Sequence, residues 1–149
     1  MSSGKPVVAR VTRRFAFAAE RVFDAFLDPA KAGRFMFATE SGTMVRAEID
    51  PRVGGKYAFV DRRPSEGDVE HTGEYLAIER PRRLEFTLQV ARYSANVDRV
   101  IVEIASTPDG CEVTLTHEMG NDEAEYIKYK DRTEQGWAHI LDGLEKTLS

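Results

Sequence analysis

Hydrophobic and polar residues alternate with a period close to two over most of the chain, and this pattern predicts β-strands. We predict a first strand over residues 7–17 and further strands over residues 43–50, 55–61, 69–79, 84–90, 97–105 and 111–119. In "LEFTLQV", Leu84, Phe86 and Leu88 fall on one face, while Glu85 and Thr87 fall on the other. Short strands joined by turns such as "STPDG" indicate an antiparallel meander.

The period changes to that of a helix just after the first strand. In "AAERVFDAFLD", Val22 and Phe26 are four residues apart, so a short helix would carry an apolar face there. Asp28-Pro29 ends this helix, because the residue before proline avoids the helical region. The same pair suits the start of a second short helix over residues 30–37, with Asp28 as its N-cap.

A longer helix is predicted at the C-terminal end of the sequence. Asp122 and Glu125 have the spacing of a capping box, and no proline follows before residue 148. Apolar residues then recur at helical spacing at Trp137, Ile140, Leu141, Leu144 and Leu148. A helix of about 25 residues would be about 37 Å long, enough to cross a whole sheet.

This order of elements predicts an α+β protein with one domain over residues 1–149 and a core over residues 7–148. An antiparallel sheet with one apolar face needs a cover, and only the C-terminal helix is large enough. We therefore expect a strongly curved seven-stranded sheet wrapped around that helix. A sheet that closes only partly would leave a cavity between the two.

The segment "IDPRVGGKY" has two readings that the sequence leaves open. Gly54-Gly55 stands where a strand begins, so it suits a sharp bend in a curved sheet. Asp50-Pro51 marks a turn, so the same glycines also suit a hairpin connection. The two readings are compatible.

Composition and charge narrow the classes of function. The net charge of −4 gives no electrostatic reason to expect a nucleic-acid partner. Paired arginines, Arg13-Arg14 and Arg62-Arg63 among them, are interpreted as solvated surface rather than as a phosphate site. No stretch approaches the roughly 20 apolar residues that cross a bilayer. The start "MSSGKPVVAR" has no hydrophobic core region, so the expectation is a cytoplasmic protein without a membrane segment.

Several strings in this order resemble the SRPBCC superfamily, the START-related helix-grip fold. They are "FAFAAERVFDAFLDPAKAGRF", "IDPRVGGKYAF", "GEYLAIERPRRLEFTLQV", "EVTLTHEM" and "EQGWAHILDGLEKTL". Within this superfamily, the chain looks most like the activator of heat-shock-protein-90 ATPase homologue-like branch. The resemblance implies a cavity that takes a small hydrophobic molecule. It also implies two alternatives, an enzyme of cyclase or hydrolase type using the same cavity, and an interaction with a chaperone.

Few residues suggest catalysis. His117 shares a strand face with Val113 and Leu115, so it should point inward, either as an acid–base group or as a hydrogen-bonded core residue. The spacing of His71, His117 and His139 forms no metal motif, and the single cysteine excludes a multi-cysteine site. We predict no cofactor and no metal.

Other polar residues are expected outside the cavity. Arg46 and Glu48 alternate with Val45, Ala47 and Ile49, and the simplest interpretation puts the charged pair in solvent, with Glu74 as a further polar candidate. No serine stands in a nucleophile elbow.

The site predicted from the sequence is therefore a mostly apolar cavity that binds a small hydrophobic or amphipathic ligand without transforming it. Its candidate lining residues are Phe37, Tyr57, Phe59, Tyr75, Phe86, Leu88, Val102, Leu115, His117, Trp137 and Leu141. A homodimer would form if an edge strand, residues 7–17 or 97–105, paired with its copy in a second chain.

Overall fold

The computed structural model describes residues 7–119 and 123–149, and the side chains of these residues except 123–128. Over this part of the chain there are seven strands and three helices. The strands are β1 (Val8–Phe15), β2 (Thr43–Ile49), β3 (Lys56–Arg63), β4 (Gly67–Glu79), β5 (Arg83–Leu88), β6 (Asp98–Thr107) and β7 (Gly110–Glu118). The helices are α1 (Ala19–Leu27), α2 (Pro29–Phe35) and α3 (Glu123–Leu148).

All strands pair antiparallel in one sheet with the order β1-β7-β6-β5-β4-β3-β2. The last strand, β7, pairs with the first strand, β1. As a result, β1 and β2 form the two edges of the sheet. This arrangement confirms the predicted α+β fold, with a curved sheet, two short helices after the first strand and a long C-terminal helix. The capping box predicted at Asp122 and Glu125 lies outside the described residues and side chains.

The local rules that predicted α1 and α2 hold, but α2 ends at Phe35 rather than at the predicted residue 37. The buried face of α1 includes Val22, Phe23 and Phe26. Asp28 caps α2 by accepting a hydrogen bond from the backbone N–H of Ala30 at 3.0 Å. Phe26 and Phe35 then meet edge to face, with ring centroids 5.5 Å apart, and tie the two helices together.

The β4–β5 ladder is interrupted at Gly73 and Glu74, between the Thr72–Gln89 bridge and the Tyr75–Phe86 pair. A Cβ at Gly73 would lie 1.8 Å from the carbonyl oxygen of Thr87, so only glycine fits. Two side-chain bonds replace the missing ladder bonds. The Tyr57 hydroxyl donates to the Thr87 carbonyl at 2.6 Å, and the Glu74 N–H donates to Thr87 Oγ1 at 2.9 Å.

The double glycine lies in the β2–β3 hairpin, next to this interruption of the ladder. Gly54 has a φ of 85°, which glycine adopts readily. Its N–H donates to the carbonyl of Tyr75, and the Tyr75 N–H donates to the carbonyl of Gly55, both at 2.9 Å. Gly54-Gly55 is thus a hairpin connection that also bonds to β4 at Tyr75, and its predicted role in a strand bend stays a prediction.

Helix α3 is held along the β1 edge by polar side chains. The backbone N–H of Arg10 donates to the Glu134 carboxylate at 2.9 Å, and Arg13 forms ion pairs with Asp142 and Glu145. Arg13 is therefore half-buried against α3, whereas Arg14 is exposed as expected. Among the described residues no helix is long and apolar enough to cross a membrane.

Two further expectations are corrected by the topology. The segment 97–105 is not an edge, since β6 lies between β5 and β7. Val45 does not join Ala47 and Ile49 on the inner face but is 42% exposed, because the register of β2 shifts between Met44 and Arg46.

Candidate functional site

The residues predicted to line a cavity are all buried, none more than 7% exposed. They come from β3 (Tyr57, Phe59), β4 (Tyr75), β5 (Phe86, Leu88), β6 (Val102), β7 (Leu115, His117), α3 (Trp137, Leu141) and the segment after α2 (Phe37). The apolar members belong to one contiguous core between the sheet and α3. Their contact with a ligand stays a prediction.

Aromatic rings form the centre of this core. Tyr57 is in contact with Phe59, Tyr75 and Phe86, with centroid distances of 5.7, 5.6 and 5.6 Å. Phe37 adds a ring 5.8 Å from Phe59 and 5.6 Å from Trp137. These rings give the interior the apolar, aromatic character that small-molecule pockets share.

The space between the rings is almost filled. A void of about 10 Å³ remains, and it is lined by Phe26, Met36, Tyr57, Phe59, Tyr75, Leu84 and Phe86. That volume is the size of about one water molecule. A drug-sized guest needs about 300 Å³ or more, so it would enter only if side chains or elements around the void moved.

Phe37 has the most unusual backbone in this region. Its φ is 59°, in the left-handed region, where a bulky side chain is a rare outlier. The ring is nevertheless buried and stacks on His71, with centroids 4.4 Å apart and planes 10° from parallel. Strain of this kind costs about 1–3 kcal/mol and is offset here by the packing of the ring.

His117 uses both ring nitrogens within the protein. The indole N–H of Trp137 donates to Nδ1 at 2.9 Å, and Nε2 lies 2.8 Å from Oδ2 of Asp98. Because an indole N–H can only donate, Nδ1 is the acceptor in the bond with Trp137. Nε2 therefore carries the hydrogen and donates a hydrogen bond to the Asp98 carboxylate. This chain of bonds joins α3 to β6 and β7, and it leaves neither nitrogen for a ligand.

A second polar group lies on the inner face of β3 and β4 and was missed from the sequence. Asp61 is fully buried; its Oδ2 accepts a bond from the Thr39 hydroxyl at 2.7 Å and pairs with Arg63 at 3.0 Å. Asp61 follows Tyr57 and Phe59 at steps of two residues along β3, so all three share one strand face. That spacing was the available signal. The Arg63 side chain is only 17% exposed, so the surface interpretation of Arg62-Arg63 is wrong for Arg63.

His71 lies on the same inner face and is 7% exposed. Burial, followed by the charge of Arg63, lowers the pKa of His71 to about 4. The ring is therefore neutral near pH 7. Its Nδ1 and the Oδ1 of Asp61 are both buried without a hydrogen-bond partner.

The remaining polar candidates lie on the outer face of the sheet. Arg46 and Glu48 are exposed and paired at 2.8 Å, as the alternation predicted. With Glu74 they border an open surface cleft of about 510 Å³. Among the side chains described, those of residues 7–119 and 129–149, no group of three or more His, Cys, Asp or Glu is arranged to hold a metal ion.

Comparisons with known proteins agree with the geometry. The family model described as "Activator of Hsp90 ATPase homolog 1-like protein" matches residues 16–149. Protein NE0264 from Nitrosomonas europaea is 19% identical, with a TM-score of 0.82 over 95% of this chain and 94% of that one. Protein CV1439 from Chromobacterium violaceum is 23% identical, with a TM-score of 0.78 over 95% of this chain and 96% of that one.

The AHSA1-like protein from Aeromonas hydrophila is 22% identical, with a TM-score of 0.78 over 95% of this chain and 92% of that one. No curated protein matches the chain. At these identities the solved structures establish the fold alone.

Proposed function

The chain belongs to the family of Activator of Hsp90 ATPase homolog 1-like proteins, and from that membership we propose that it binds a small hydrophobic or amphipathic molecule between the curved sheet and α3. The proposal treats the chain as a binding protein rather than an enzyme. It rests most directly on the buried cluster of aromatic rings around Tyr57, which surrounds the remaining void.

Opening of the interior is the step that this function requires. Phe37 supports such a step, because the backbone strain at its φ of 59° is released when the ring leaves the core. A guest that buries about 200 Å² of apolar surface gains about 5 kcal/mol, which offsets the cost of exposing the displaced side chain to water. The ligand therefore replaces protein atoms rather than filling a ready-made hole.

The geometry favours binding over turnover. His117 was the strongest candidate for acid–base chemistry, and both its nitrogens are bonded to Trp137 and Asp98. The predicted alternatives, turnover of a ligand in the same space and interaction with a chaperone, stay predictions.

Trp137 provides the measurement, since it is the only tryptophan in the chain and its ring contacts Phe37. Fatty acids of increasing length and planar aromatic compounds are titrated while indole fluorescence and the melting temperature are followed. We expect at least one class to change the fluorescence in a saturable manner and to raise the melting temperature.

Two variants separate interior binding from adsorption on the surface. Phe86→Leu reshapes the wall of the void, so the Kd should change several-fold. Val97→Ser removes apolar atoms at a residue 59% exposed beside the outer cleft, so the Kd should not change. Failure of every compound to bind, or a Kd that responds to Val97→Ser and not to Phe86→Leu, would contradict the proposal.

A further inference from the structure

Oδ1 of Asp61 and Nδ1 of His71, both on the inner face of the sheet, have no partner at hydrogen-bond geometry. The backbone of Val69 and Phe59 approaches the His71 ring closely enough to act on its pKa, so the unpartnered Asp61 oxygen is the firmer of the two observations. Both side chains are more than nine-tenths buried. Buried polar atoms are nearly always bonded in folded proteins, and exceptions are concentrated where a ligand or catalytic group acts. These two atoms therefore call for a partner from outside the chain.

The two atoms belong to one small region. Asp61 pairs with Val69 across the β3–β4 ladder, so His71 is its diagonal neighbour on the same face. The segment after α2 covers both side chains. The Phe37 ring stacks on the His71 ring, and the Thr39 hydroxyl donates to the other oxygen of Asp61.

The place now taken by the Phe37 ring is shaped for a flat aromatic group. It is bounded by His71 at 4.4 Å in nearly parallel stacking, by Tyr57 at 6.5 Å and 13° from parallel, and by Trp137 edge-on at 5.6 Å. Phe37 holds this place only with a left-handed backbone. It is the side chain in the cluster whose departure relieves strain.

We propose that Asp61 and His71 form the polar end of the ligand site, and that the ligand is an aromatic compound whose ring replaces that of Phe37 while an O–H or N–H group donates to Asp61 Oδ1. A carboxylate oxygen only accepts, so the ligand must bring the donor. Arg63 holds the carboxyl group from its other oxygen and fixes its orientation. This inference rests on the proposed function and names the chemistry of its ligand.

Phe37→Gly tests the site directly. Glycine accepts a φ of 59° without strain, and the variant leaves a void the size of a phenyl ring beside Asp61 and His71. Phenol and benzene serve as probes, since they share a ring and differ by one hydroxyl group. In a purely apolar void benzene binds at least as well, because the hydroxyl group of phenol loses its hydrogen bonds to water.

We expect phenol to bind Phe37→Gly with a Kd on the order of tenfold lower than that of benzene, because a hydrogen bond to a charged group is among the stronger ones. In Phe37→Gly combined with Asp61→Asn, the advantage of phenol should largely disappear. Phe37→Ala repeats the comparison with a slightly smaller void, so the test does not depend on one variant folding.

The outcomes separate this inference from the proposed function. Equal or tighter binding of benzene would overturn the polar end of the site and leave an apolar cavity. An ordered water that bonds to Asp61 Oδ1 and is retained when phenol is bound would overturn it in the same way. If neither probe binds while larger compounds still bind the wild-type protein, the ligand lies elsewhere in the interior and this inference fails alone. If nothing binds any form of the protein, both fail.

Discussion

At the scale of single residues, Tyr57 shows how one hydroxyl group compensates for an interrupted strand ladder. Its hydroxyl donates to the Thr87 carbonyl at the place where Gly73 interrupts the ladder. Burial raises the pKa of Tyr57, so the group stays protonated and remains a donor. Without that donor, the Thr87 carbonyl would lose the bond that replaces a missing ladder bond.

Tyr57→Phe should therefore lower the free energy of unfolding by about 1–3 kcal/mol, the usual cost of an unpaired buried polar group. Tyr75→Phe is the matched control, since Tyr75 is equally buried in the same aromatic cluster and the structure shows no hydrogen bond from its hydroxyl group within the described residues. Removing that hydroxyl should cost much less. Urea denaturation of the two variants checks the difference, and equal decreases in stability would show that the Thr87 bond is unimportant.

The buried ring of His71 makes stability depend on pH. Its folded pKa of about 4 lies below the ordinary value of 6.5. Between these values the unfolded chain binds more protons than the folded protein, so stability falls as the pH decreases through this window. From about pH 7 to about pH 5, we expect His71 to remove about 2 kcal/mol from the free energy of unfolding.

His71→Phe keeps an aromatic ring against Phe37 and cannot be protonated. The difference in stability between the wild-type protein and this variant should therefore change in the variant's favour as the pH falls. Denaturation curves at several pH values measure this difference. Because both proteins share every other titrating group, parallel pH profiles would mean that His71 is not held neutral by the fold.

At the scale of elements, the close approach of α3 to α2 depends on Gly143. A Cβ there would lie 3.0 Å from the Cβ of Phe35, which is itself almost fully buried. On the same helix, a Cβ at Gly136 would meet nothing within 4 Å. The two glycines therefore separate helix propensity from packing.

Gly136→Ala should stabilise the protein by up to about 1 kcal/mol through helix propensity alone. Gly143→Ala gains the same propensity but overpacks the contact with Phe35, and overpacking costs about 1–3 kcal/mol. We expect thermal denaturation to rank Gly136→Ala above Gly143→Ala. A reversed order would mean that α3 shifts freely away from α2.

Element order and strand faces were predictable because they are local properties of the sequence. Alternation gave the inner face of β3, and Asp28-Pro29 gave the boundary between α1 and α2. Val45 failed because a bulge adds one residue and changes the face of its neighbour. The inner position of β6 depends on which strands become neighbours in space, and no short stretch of sequence records that.

The candidate site was predictable only in part, for the same reason. The aromatic residues of the core follow from their strand positions. The left-handed backbone of Phe37 and the volume of the remaining void result from the packing of all side chains together. Asp61 was missed although its spacing placed it inside, because a charged residue is rarely buried without a partner and Arg63 is too near in sequence to suggest one.

At the scale of the whole molecule, the proposed binding requires the closed interior to open, and we expect it to open along its weakest part. The segment 36–42 and the edge strand β2 form that part. Most of β2 is exposed or half-buried, and its ladder is interrupted between Met44 and Arg46. Strands β5 to β7 have a hydrogen-bonded neighbour on both sides, and β1 is secured to α3 through Glu134.

Native-state hydrogen exchange should reveal this opening. Amide protons of residues 36–49 should exchange through a local opening with a free energy below that of global unfolding, whereas those of β6 and β7 should exchange only when the whole protein unfolds. A compound that occupies the interior should slow exchange of the amides in residues 36–49. Exchange in β6 and β7 should still be governed by global stability. Uniform exchange across the sheet would contradict this, because the ligand would then have to enter by complete unfolding, and the strained position of Phe37 would have no part in admitting it.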